Sequence, residues 1–112
     1  MYVIDQDRLP FSVIAREFVG DDNGGVGVSL LFVDAPPGRG PGLHRHAYEE
    51  IFILQEGQGT FTAGDEQREA RAGEIVVVPP DTPHRFVNTG DGPLRLIAIH
   101  ASPRFVTEWL ED

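Results

Sequence analysis

Apolar and β-branched residues recur along the chain in short runs, at 11–18, 26–34, 50–55, 58–62, 75–79, 84–88 and 94–100. Between them lie clusters rich in Gly, Pro, Asp and Asn: DDNGG at 21–25, APPGRGPG at 35–42, EGQG at 56–59, AGDEQ at 63–67, PPDTP at 79–83 and NTGDGP at 88–93. Runs this short, closed by turn residues of this kind, predict strands, and seven or more of them predict an all-β sandwich or closed antiparallel barrel. One segment departs from the pattern. In RFVTEWL (104–110), Phe105, Val106, Trp109 and Leu110 fall at helical spacing after Pro103, predicting a short C-terminal helix that closes one end of the barrel. The alternative is a last strand exchanged with a second subunit.

Composition narrows the chemistry. The 112 residues, 40% hydrophobic, suffice for one domain over 1–112 with one core. Cysteine is absent, which removes disulfides, thiolate nucleophiles and iron–sulfur clusters. All nine basic residues are arginine, so Schiff-base chemistry and a P-loop lysine are also excluded. Eighteen acidic residues bring the net charge to −9, which would repel nucleic acid and anionic membranes. The longest apolar runs, such as Leu30 to Val33 and Ile75 to Val78, are too short to span a bilayer. An acidic N-terminal stretch lacks the pattern of a signal peptide, so the expected compartment is the cytoplasm.

Four histidines are present: His44, His46, His84 and His100. His44 and His46 are two apart, so on a strand both imidazoles face the same way, and Glu50 keeps the parity. His84 opens another strand-like stretch after a proline turn. Three imidazoles and a carboxylate suit a borderline divalent transition metal, although a His-x-His pair alone is weak support.

The flanking residues add more. From Gly38 the chain reads G-x5-H-x-H-x3-E-x6-G, ending at Gly57, and from Gly73 it reads G-x5-P-x-D-x2-H-x3-N, ending at Asn88. These resemble the two motifs of the cupin superfamily, and the 15 residues between them (58–72) resemble the shortest spacing in its microbial single-domain members. Asp81 stands where the second motif usually has glycine, and aspartate tolerates the left-handed turn geometry better than most residues. The resemblance implies a six- to eight-stranded antiparallel jelly-roll barrel. It also implies one metal ion per chain (Fe, Mn, Ni, Cu or Zn) on His44, His46, Glu50 and His84, near one mouth of the barrel.

Parity places Phe52 and Leu54 with Glu50, and Phe86 and Asn88 with His84, giving the ligands a mostly apolar lining. His100 shares parity with Leu94, Leu96 and Ala98. It reads as a neighbour of the ligands or a general base, with a strand-end histidine bonded to backbone as the favoured reading. Glu50 is a second candidate base. Phe32, Tyr48, Phe52, Phe86 and Arg16 are candidate pocket residues; for Tyr48 a solvent position is favoured, and for Arg16 an outward ion pair. Trp109, Phe61 and Phe32 are expected in the core or an interface.

Cupins resembling this chain include dioxygenases, decarboxylases, isomerases, lyases and cyclases, so fold does not select the reaction. A small metalloenzyme acting on an oxygen-bearing organic molecule, of dioxygenase type, is the first expectation. A ligand-binding sensor, which would need a separate DNA-binding partner to act as a regulator, is the second. A metal-free sugar epimerase is the third, and the intact ligand set argues against it. The resemblance also implies a homodimer, for which the stretch 11–18 and the C-terminal aromatics offer surface.

Overall fold

A computed structural model describes residues 1–111. The strands are β1 (Phe11–Ser12), β2 (Ala15–Phe18), β3 (Ser29–Ala35), β4 (His44–Arg45), β5 (Glu50–Glu56), β6 (Gln58–Ala63), β7 (Glu66–Arg71), β8 (Ile75–Val78), β9 (His84–Asn88), β10 (Leu94–His100) and β11 (Glu108–Trp109). They form two antiparallel sheets, one ordered β1-β2-β3-β10-β5-β8 and the other β11-β4-β9-β6-β7. Two single-turn 3₁₀ segments, Gln6–Arg8 and Gly20–Asp22, are the helical elements among the described residues. None is long or apolar enough to cross a membrane.

The all-β jelly-roll expectation holds, and the C-terminal helix does not form. Residues 108–109 instead pair antiparallel with β4, Glu108 opposite Arg45 and Trp109 opposite His44. A helix of about seven residues is marginal in water. Here the Arg45–Glu108 ion pair at 2.8 Å and the bond from Leu110 N–H to Leu43 O at 2.9 Å reward the extended chain. Phe105, Val106, Thr107 and Trp109 are also residue types at home in strands.

Alternation sends one face of each sheet inward. Val33, Ala35, Phe52, Leu54, Leu94, Leu96 and Ala98 from the larger sheet meet Phe61, Ala70 and Phe86 from the smaller. Phe52, Phe61 and Phe86 form an aromatic triangle with centroid separations of 5.3, 5.7 and 5.3 Å. Asn88, buried at the end of β9, donates to Ala35 O and Gly92 O, both at 2.8 Å, which ties three segments together. Gly40 lets the loop before β4 lie flat on β9: a Cβ there would sit 1.9 Å from Phe86 O. Asp81 adopts φ 60°, the left-handed geometry expected for its turn, and its N–H donates to His46 O at 2.7 Å.

The outer face of the larger sheet is also apolar. One cross-strand row runs Phe11, Arg16, Phe32, Ile97, Ile53, Ile75 across all six strands. A second row runs Phe18, Leu30, Ile99, Ile51, Val77. Arg16 is the one charged member of either row.

Candidate metal centre

Both sheets contribute to a buried polar cluster at one end of the barrel. β4 and the residue just beyond it carry His44 and His46, and β9 carries His84, whose Cα partner across the ladder is His44. β5 brings Glu50 from the opposite sheet, in register with His100 on β10. One ligand-type atom from each of His44, His46, Glu50 and His84 lies within 4.8 Å of the others, and all four residues are buried.

The hydrogen bonds fix the tautomers. His44 Nδ1 lies 2.7 Å from Gly42 O, His84 Nδ1 2.8 Å from Thr82 O, and His46 Nδ1 3.1 Å from Val106 O. A carbonyl only accepts, so each ring donates from Nδ1 and turns its Nε2 lone pair inward when neutral. Glu50 Oε1 then sits 3.1 Å from His46 Nε2 and 3.0 Å from His84 Nε2. Lone pairs brought this close in a buried site call for a cation between them. The donor set of three nitrogens and a carboxylate oxygen fits a divalent transition metal and leaves room for further ligands.

Electrostatics follow the same geometry. Burial lowers the His44 pKa to about 4 against the opposing bond to Gly42 O, which keeps the ring neutral and available at neutral pH. Burial also works to raise the Glu50 pKa, but the contacts with His100, His46 and His84 outweigh it and hold the carboxyl well below its usual range. For His84, burial is outweighed by the Glu50 carboxylate and the Thr82 carbonyl, and its pKa rises.

A cavity of about 520 Å³ opens over the cluster. Leu31, Val33, Phe52, Phe86 and Ala98 wall it inside the barrel, and Val13, Ile14, Pro41, Phe105 and Trp109 surround the mouth together with Glu17 and Arg39. Another cavity, about 600 Å³ between the sheet edges β7 and β8, shares no residue with the cluster.

Of the sequence-derived pocket residues, Phe52 and Phe86 line this cavity and Phe32 and Arg16 do not. Phe32 points to the outer face because Leu31 and Val33 take the inward parity of β3. Arg16 shares that outer face, as favoured, but without an acidic partner: its guanidinium donates to Leu9 O at 3.0 Å and lies 5.5 Å from the centre of the Phe11 ring. Tyr48 is half-buried behind the ligands, stacked on His46 at 4.9 Å with its hydroxyl 2.9 Å from His100 Nδ1. His100 is 3% exposed and bonds through side chains, in place of the backbone bonding favoured from sequence.

Sequence reasoning missed the C-terminal segment as part of the site. Phe105 packs edge-on to His100 at 4.8 Å and Trp109 lies 4.9 Å from His44, while Val106 O receives His46. The signal was a period of two, Phe105–Thr107–Trp109, overlapping the helical spacing that was read instead.

An antiparallel double-sheet barrel holding a buried three-histidine, one-carboxylate cluster defines a class of small metal-site proteins. The chain belongs to the cupin family: the Cupin domain model matches residues 31–100. An uncharacterized protein of Methanocaldococcus jannaschii, MJ1618, is 36% identical over 80 residues, which is 70% of this chain and 64% of that one. A cupin-like protein from Thermotoga maritima superposes with TM-score 0.78 at 26% identity, covering 88% of this chain and 75% of that one. Oxalate oxidase superposes with TM-score 0.75 at 22% identity, covering 86% of this chain and 54% of that one. The chain thus spans less than two thirds of the length of MJ1618 and of the oxidase.

Proposed function

We propose that this chain is a metal-dependent enzyme of dioxygenase type acting on an oxygen-bearing organic molecule. One observation carries the reading: three imidazoles and a carboxylate converge at one end of the barrel, and three of the four, His44, His46 and Glu50, line an apolar-walled cavity large enough for a ring-bearing compound. His44, His46, Glu50 and His84 would hold one Fe, Mn, Ni, Cu or Zn ion. When bound, it supplies Lewis-acid polarisation or electron relay to dioxygen. Leu31, Val33, Phe52 and Phe86 exclude water and grip the apolar body of the substrate, while Arg39 at the mouth attracts an anionic group. A likeness to oxalate oxidase supports the fold. Oxalate itself would leave most of this wall untouched, so a larger diol or dicarbonyl suits the cavity better.

The test is oxygen consumption by anaerobically purified protein reloaded with each metal in turn and offered aromatic diols and 1,3-dicarbonyls. Uptake with one metal, matched to substrate loss, is expected. Stoichiometric metal without uptake would remove the oxygenase reading and move weight to an isomerase, lyase or ligand-binding role.

The protein is further proposed to act as a homodimer, with the outer apolar face of the larger sheet as its contact. Six strands at a spacing of about 4.8 Å make that face roughly 24 Å wide and at most about 20 Å long, so two copies would bury about 1,000 Å² in all, the lower end for a specific interface. Its two apolar rows carry no carboxylate despite the chain's −9 charge, and Asp34, on the same face beyond them, lies opposite Arg95. Sedimentation at about 100 µM is expected to show a dimer that Ile97→Glu converts to a folded monomer. A monomeric wild type, or a variant that stays dimeric, would sink this assignment.

A further inference from the structure

Glu50 is held from two sides, and the second side reaches well past the ligand cluster. Its Oε1 meets His46 and His84, while its Oε2 lies 3.0 Å from His100 Nε2. That contact is bent, leaving the His100 N–H without a well-aligned acceptor in a fully buried position. His100 Nδ1 in turn lies 2.9 Å from the Tyr48 hydroxyl, which accepts the Val106 N–H at 3.3 Å. Val106 O receives His46 Nδ1, and His46 Nε2 returns to Glu50. Five residues therefore lie in a ring of close polar contacts, His46, Glu50, His100, Tyr48 and Val106, in which the two links to Glu50 are contacts and the others hydrogen bonds.

Donor and acceptor roles around the ring are determined by chemistry. An ionised carboxylate only accepts, so a neutral His100 must carry its proton on Nε2, facing Oε2. Nδ1 is then an acceptor, and the Tyr48 O–H, already accepting from Val106, has its one proton to donate there. His100 is thus the opposite tautomer from His44, His46 and His84, each of which donates from Nδ1. Packing fixes the ring in place. Tyr48 lies parallel to the His46 imidazole, 15° between planes, and Phe105 stands edge-on to His100.

We propose that Tyr48 and His100 are positioning residues of the metal centre, holding Glu50 in the orientation that presents Oε1 to His46 and His84. The inference rests on the metal-binding reading above and goes beyond its ligand set. Partners of this kind, one bond removed from a ligand, typically change metal affinity by about ten- to a hundredfold when lost.

Co(II) and Zn(II) are the probes. Wild-type protein is expected to bind one ion per chain. Tyr48→Phe, which keeps the stacked ring and loses only the hydroxyl, should weaken binding about tenfold and shift the visible Co(II) bands. His100→Leu should weaken it roughly a hundredfold, and His100→Gln, whose amide offers both a donor and an acceptor, should recover most of the loss. Nitrogen NMR of the Zn(II)-loaded chain should show His100 protonated at Nε2. Unchanged affinity and bands in Tyr48→Phe would overturn the positioning role and leave the ligand set standing. So would a His100 Nε2 without a proton, since the ring would then have nothing to donate toward Glu50. A wild-type chain that binds neither ion would overturn the metal reading itself, and the positioning role with it.

Discussion

His84→Ala protein is expected to bind a divalent metal about a hundred- to a thousandfold more weakly than wild type, and to leave purification with well under one ion per chain. Binding at a four-ligand protein site is worth about 10–16 kcal/mol in structural zinc peptides, so one ligand of four accounts for about 2.5–4 kcal/mol. The position offers no replacement. His84 sits opposite His44 with ring centroids 4.3 Å apart, in a pocket where it is 3% exposed. The fold should survive, since the truncated ring belongs to the polar cluster at one end of the barrel and the aromatic triangle of the core is untouched. Elemental analysis beside circular dichroism reads both quantities. Full metal content in the variant would refute the quartet as the binding site.

Phe52→Ala should be the most destabilising change to the core, at about 3–5 kcal/mol. Its ring is 2% exposed and touches both Phe61 and Phe86, so its removal opens a void between the sheets that rigid strands cannot close. A domain of this size has about 5–15 kcal/mol in total, so a fifth or more of the stability would be lost. The melting temperature should fall by roughly 15–25 °C. Phe52 also stands 6.3 Å from the His84 ring, so the same void loosens the floor of the metal site. Urea unfolding of metal-free protein isolates the packing loss from any loss of metal; a change under about 1 kcal/mol would contradict this account of the core.

The barrel and the convergence of His44, His46, Glu50 and His84 were legible in the sequence because they depend on local rules. Period-two alternation puts His44 and His46 on one face, and turn residues such as Asp81 state the chain reversal that delivers His84. Tyr48 and His100 were less legible because their roles depend on register between distant strands. His100 meets Glu50 only because β10 pairs with β5 in one particular alignment. Phe32 was misplaced for another reason. In the run Leu30–Val33 every residue is apolar, since both faces of β3 are, so hydrophobicity cannot report which face is inside. Over residues 105–110, two periodicities fit the same few side chains, and the free edge of β4 decided between them.

That C-terminal strand has a consequence for how the protein is born. The carbonyl that orients His46 is 60 positions downstream, and the carboxylates that meet Arg45 and the Leu43 amide are 63 and 68 positions away. A nascent chain presents all four ligand side chains by the time residue 84 emerges. Until residues 106–111 follow, however, His46 lacks its tautomer-setting partner and the site mouth lacks one wall. An ion entering the proposed site before then would meet a quartet whose His46 is not yet oriented by the Val106 carbonyl.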